Sequence, residues 1–208
     1  MKVDLFSIGP FTVHGYGLMI GIGVLCCVFM AMKRAKKYGL IEDAIVDIAI
    51  WGLIGGFLGA KLLFLIVEWK QFLKNPLALL GSEGFVVYGG IIAGVVAAIL
   101  YCKKKKLIFL DYFDLAAPSI AMAQGFGRIG CFLAGCCYGR ETDLPIGVIF
   151  PEGALAPAGI RLLPTQLISS AGNFLIMAIL LIVLGLNIVF HSVKSYKASE
   201  KNSEKAAV

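Results

Sequence analysis

Arg128 and Arg140 bracket the segment "GRIGCFLAGCCYGR" at residues 127–140, with Cys131, Cys136 and Cys137 between them. A guanidinium stays charged at physiological pH and offers a planar pair of donors that matches a phosphate. A thiol becomes a nucleophile, a redox group or a metal ligand once ionised, and nearby cations favour the ionised form. The segment can therefore grip an anion or react through sulfur. The Cys-x4-Cys-Cys spacing is not a zinc pattern, so no metal is expected. The three thiols read first as small buried side chains, and second as redox groups activated by the arginines.

What must position these groups is a set of long apolar runs. Hydrophobic residues make up 59% of the 208-residue chain and charged residues 15%. Mean hydropathy is +0.88. Soluble domains are nearer half apolar and a quarter charged, so the composition points to a membrane protein. About five spans are expected, at Val13–Met32, Ala44–Val67, Phe85–Cys102, Asp111–Ala134 and Thr165–Phe190. Each is near the length of about 20 residues that crosses a bilayer. The fold expected is an all-α polytopic membrane bundle, with a short cap from Glu141 to Pro164 that contains four of the seven prolines.

The net charge of +6 does not imply nucleic acid, because the basic residues sit at the ends of apolar runs and form no stripe. Lys33, Arg34, Lys36 and Lys37, then Lys103 to Lys106, then Lys194, Lys197, Lys201 and Lys205 fall on one face of an odd-numbered bundle. Lys2, Lys70, Lys74, Arg140 and Arg161 fall on the other. The positive-inside rule then places the N-terminus outside and the C-terminus in the cytoplasm. Residues 1–190 read as one membrane-embedded domain, and 191–208 as a polar cytoplasmic tail without fixed structure. The start lacks a basic segment running straight into an apolar core, so no cleavable leader is expected. Cys26, Cys27 and Cys102 lie in or beside spans, where cysteine acts as a small hydrophobe, so the six cysteines are not a disulfide framework.

Lys61 and Arg128 are charges within spans. Such a group costs on the order of 3 kcal/mol to insert and is usually paired or functional. Lys61 can snorkel to the outer surface. For Arg128 the partner is either a lipid phosphate, which the chemistry favours, or one of Glu68, Glu83 and Glu141. Glycine reaches 25 residues and clusters in three spans. It serves close helix packing, room for a ligand, or both.

Five stretches occur in an order that carries a resemblance: "HGYGLMIGIG", "GGFLGAKLLFLIVEW", "GFVVYGGIIAG", "GRIGCFLAGCCYGR" and "LLPTQLISS". From Val13 to roughly Leu184 the chain resembles the prolipoprotein diacylglyceryl transferases. These are multi-pass proteins of the bacterial plasma (inner) membrane, usually with seven spans. The resemblance implies transfer of diacylglycerol from phosphatidylglycerol to the lipobox cysteine thiol of a preprolipoprotein signal peptide, with glycerol phosphate leaving and no cofactor. It implies that Arg128 and Arg140 hold the phosphate and that Tyr16 contacts the lipid. It further implies that Gly89, Gly90 and Gly139 shape the cavity, and that Gln166 belongs to the element opening the next helix.

Several positions depart from the family pattern. Tyr88 precedes Gly89-Gly90 where the family has a histidine, the usual candidate base, and a phenol with an ordinary pKa of about 10 is a poor base at neutral pH. His14 is a possible substitute, or simply a residue at a helix end. Cys131 and Ala134 replace asparagines, Cys136 replaces a glutamate, and Lys61 stands where arginine is common. The family also generally continues through two further spans. An alternative therefore stays open: a catalytically impaired paralogue acting as a lipid-binding, thiol-redox or transport protein.

Overall fold

In a computed structural model, the described residues are 4–8, 11–82 and 84–206, with side chains described over 14–82 and 84–186. The chain is an all-α polytopic membrane protein. Its helices are α1 (Gly15–Ala35), α2 (Glu42–Val67), α3 (Trp69–Lys74), α4 (Pro76–Leu80), α5 (Val87–Lys104), α6 (Phe109–Ala134) and α7 (Thr165–Ala206). Short strands flank them: β1 (Asp4–Ile8), β2 (Phe11–His14), β3 (Val148–Ile149) and β4 (Arg161–Leu162).

Among the described residues, four segments are long and apolar enough to cross a membrane: Gly15–Tyr38, Glu42–Val67, Val87–Lys104 and Thr165–Leu186. The expected fourth span, α6, is equally long at 26 residues, about 39 Å at 1.5 Å per residue. It is more polar, because Asp111, Asp114, Ser119, Gln124 and Arg128 interrupt its apolar sequence and Pro118 lies inside it. The first span was expected from Val13. Instead Val13 and His14 end β2, which pairs antiparallel with β1. Of the expected loose tail at 191–208, the backbone is described as far as Ala206, where α7 ends, and the side chains lie outside the described residues. Glu83, one of the carboxylates considered for Arg128, also lies outside them.

The chain divides into two compact units, one of Met1–Cys27 with Ala116–Val208 and the other of Val28–Leu115. In the second unit α2 and α5 meet along a glycine seam. A Cβ on Gly55 would lie 2.6 Å from the Ala97 Cβ, and one on Gly94 would lie 3.1 Å from the Gly52 carbonyl oxygen. Gly59 and Gly89 leave no room for a Cβ against each other's backbone. Small residues let backbones approach this closely in lipid, where packing replaces the hydrophobic effect as the force between helices. Ala31, Ala35, Ala44, Ile45, Tyr112 and Leu115 form the buried core at one end of this unit. Arg34 donates from Nη1 to the Leu115 carbonyl at 2.8 Å and stacks on the Tyr38 ring at 5.5 Å.

Lys61 is held within the same unit. Its ammonium donates to the Ser82 carbonyl at 2.7 Å and lies over the Phe64 and Phe85 rings at 5.2 and 5.1 Å. Carbonyls and ring faces thus offset the charge, so its cost is met within the protein.

In the first unit, α6 is gripped by α1 and α7. Gly23 on α1 faces the Phe126 Cβ, where a methyl group would come within 3.0 Å. Gly130 on α6 lies under the Tyr16 ring. On the α7 side, the buried Ser170 hydroxyl donates to the Gly125 carbonyl at 2.9 Å. Phe126 and Phe174 meet edge to face at 5.5 Å. The cap packs Phe150, Ala156 and Leu162 into a small core of its own against Phe132 of α6.

Candidate functional site

The site is built around the end of α6. Gly135 takes a left-handed conformation, φ +72°. Its N–H bonds to the Phe132 carbonyl at 3.2 Å, and the Cys136 N–H bonds to the Cys131 carbonyl at 3.1 Å. These two bonds make a Schellman motif, the C-cap in which the residue after the left-handed glycine contacts the residue five positions earlier. Here those two residues are Cys131 and Cys136. Cys137 follows with φ +57°, a conformation that a non-glycine residue adopts only when its surroundings impose it. Together the cap and this turn bring the three Sγ atoms within 4.8 Å of one another. Periodicity misses this, because the cap reverses the chain inside the Cys-x4-Cys interval.

The turn is fastened from the other side. Gln166, fully buried, donates from Nε2 to the Cys136 carbonyl at 2.7 Å. Thr165 donates its hydroxyl to the Cys137 carbonyl at 2.8 Å. The glutamine therefore acts as a strut between the α6 turn and the first turn of α7. Its Oε1 is buried without a hydrogen-bond partner among the described residues, as is the Ser119 hydroxyl.

Arg140 follows on an extended segment. The Gly139 N–H bonds to the Leu163 carbonyl at 2.9 Å, and the Arg140 carbonyl accepts from the Leu163 N–H at 3.0 Å. A Cβ at 139 would lie 2.7 Å from Thr165 Cγ2 and 2.8 Å from the Leu163 carbonyl oxygen. Gly139 is thus a close-approach glycine that lets the Arg140 segment pair with the chain entering α7.

Arg128 lies less than two turns before the cap and is half-buried, whereas Arg140 is exposed. Among the described residues neither guanidinium has a carboxylate partner. A Cβ on Gly127, the residue before Arg128, would meet nothing within 4 Å. Burial first, then the Cys131 and Cys137 thiols beside it, pushes the Cys136 thiol up to about 12. At neutral pH Cys136 is therefore a protonated thiol, which is not the reactive form.

The structure thus gathers Tyr16, Arg128, Gly139, Arg140 and Gln166 in one unit. Tyr88, Gly89 and Gly90 belong to the other. Tyr88 is the second residue of α5, with its side chain 75% exposed. Gly89 and Gly90 face the α2 backbone at Gly59 and Gly56, so packing accounts for both glycines. His14 is the last residue of β2, directly before α1.

A family model described as prolipoprotein diacylglyceryl transferase matches residues 3–196. A Clostridium tetani protein named phosphatidylglycerol–prolipoprotein diacylglyceryl transferase is 52% identical over 183 residues, covering 87% of this chain and 73% of that protein. A Clostridium perfringens protein, number 2 of the same name, is 44% identical over 84% of this chain and 69% of its own length. A Finegoldia magna protein of that name is 37% identical over 86% of this chain and 70% of its own.

Proposed function

The chain belongs to the prolipoprotein diacylglyceryl transferase family, and on that premise we propose that it transfers the diacylglyceryl group of phosphatidylglycerol to a cysteine thiol of a prolipoprotein. It is a multi-pass membrane enzyme of the transferase class. The acceptor is the lipobox cysteine of the signal peptide. The enzyme resides in the bacterial plasma membrane, with the N-terminus outside and the C-terminus in the cytoplasm. In the reaction a carbon–sulfur bond forms at the glyceryl carbon, the bond from that carbon to the phosphate oxygen breaks, and glycerol phosphate departs. The thiol proton leaves to a base or to water.

The observation that carries this reading is the half-buried Arg128 guanidinium, which has no carboxylate partner among the described residues. A charge held there without a partner is suited to an anion that arrives with the substrate. Arg128 binds the lipid phosphate and stabilises the charge that builds on it as glycerol phosphate leaves. Arg140, on its paired extended segment, is the second hydrogen-bond donor to the phosphate. Tyr16 lies against the lipid, Gly139 and Gln166 hold the Arg140 segment and the α6 turn in place, and Gly89 and Gly90 shape their helix pair. Tyr88 supplies a hydroxyl where relatives of the family pattern place the imidazole.

Expressed in a bacterium depleted of its own transferase, the chain should restore conversion of a labelled preprolipoprotein to its diacylglyceryl form, read by gel shift and fatty-acid incorporation. Chain present in the membrane fraction with no conversion at all would refute the proposal.

A further inference from the structure

We infer that Cys131, Cys136 and Cys137 form a three-thiolate site for a soft d10 cation, Zn²⁺ or Cu⁺. The three sulfurs already lie within 4.8 Å of one another. Zinc–sulfur bonds of about 2.3 Å in tetrahedral geometry place sulfurs roughly 3.8 Å apart. Closing the trio around an ion thus shortens the longest sulfur–sulfur separation by about 1 Å.

The backbone is built to hold that arrangement. The Schellman cap joins Cys131 to Cys136 through the 3.1 Å bond between their main chains. The strained left-handed conformation of Cys137 adds the third sulfur. Gln166 and Thr165 anchor the carbonyls of Cys136 and Cys137 from α7. Two thiols would suffice for a disulfide; a third brought in by a strained residue is what a metal requires.

Charge and access agree with this. Three thiolates around a divalent ion leave a net charge of −1, and around a monovalent ion −2. Two cations flank the trio in sequence, Arg128 three residues before Cys131 and Arg140 three residues after Cys137. Cys137 is exposed while Cys131 and Cys136 are half-buried, so an ion enters from the Cys137 side. A water completes the coordination of a divalent ion. Each bound ion displaces the three thiol protons to solvent. Thiolate donors select zinc and monovalent copper over hard cations. This site does not depend on the transfer reaction.

The test uses the full chain in detergent, reduced and stripped with chelator. Titration with Co²⁺ should produce a sulfur-to-cobalt charge-transfer band that saturates at one equivalent and is displaced by Zn²⁺. Competition against a Cu⁺-specific chelator then decides between Zn²⁺ and Cu⁺ as the tighter ion. Bound Zn²⁺ should slow alkylation of all three thiols at least tenfold while leaving Cys26 unaffected. Cys137→Ser, at an exposed position, should weaken binding at least tenfold, whereas Cys26→Ser should leave it unchanged. The inference is overturned if neither ion binds, if the band survives Cys137→Ser unaltered, or if intact mass shows a Cys131–Cys136 disulfide in protein purified without oxidant.

Discussion

The side-chain amide of Gln166 reaches across 30 residues of sequence to the main-chain oxygen of Cys136 at 2.7 Å. Through that bond the first turn of α7 holds the end of α6, and with it the stretch that bears Arg128 and the three thiols. Gln166→Leu removes the donor and leaves the carbonyl of half-buried Cys136 without that partner, at a cost of about 1–3 kcal/mol. Thermal unfolding in detergent should show the loss. Gln166→Glu should be worse, since it exchanges the donor for a buried charge. Equal stability of the wild type and both variants would remove the strut role.

Arg128→Ala should cut binding of phosphatidylglycerol vesicles on the order of 10- to 100-fold, the loss of one charge-assisted contact, while the protein still inserts. Arg128→Lys should recover only part, because an ammonium lacks the planar two-donor face. Arg140→Ala, at an exposed position, should lower transfer to a similar extent. Unchanged vesicle binding by Arg128→Ala would end the phosphate assignment.

Gly89→Ala tests whether the glycine is kept for packing. A methyl group there runs into the Gly59 backbone and the Leu63 side chain. Overpacking of this kind costs about 1–3 kcal/mol, so the melting temperature in detergent should drop along with transfer. Tyr88→Phe removes only an exposed hydroxyl and should leave the melting temperature within about 1 °C. Any fall in its transfer rate therefore measures a chemical role for that hydroxyl.

Orientation follows from the basic residues at the helix ends. A reporter fused after Val208 should be active only in its cytoplasmic form. A tail found on the outer face would invert the arrangement and place the Arg128 end of α6 on the wrong side of the membrane for the proposed reaction.

Membrane class and most helix positions were legible in the sequence, because each depends on properties of one continuous segment. The Glu42–Val67 run is apolar along its whole length, and lipid burial follows from composition with no reference to a partner. The hairpin of β1 and β2 was not legible, because Val13 and His14 run directly into α1 and only their pairing with β1 sets them apart. Nor did Lys61 announce that it would be satisfied by the Ser82 carbonyl and two aromatic faces.

The sequence by itself therefore determined that helices cross a membrane and that Arg128 is a charge in need of a partner. The tertiary structure alone decided what surrounds that charge. The meeting of Cys131 with Cys136 depends on the sign of one backbone angle at Gly135. The fit of Gly89 on Gly59 and of Gln166 on Cys136 depends on which helices pack together. Hydropathy is additive along a chain and can be read segment by segment. Hydrogen bonds and close contacts are pairwise and directional, so they exist only once distant segments have been brought to one place.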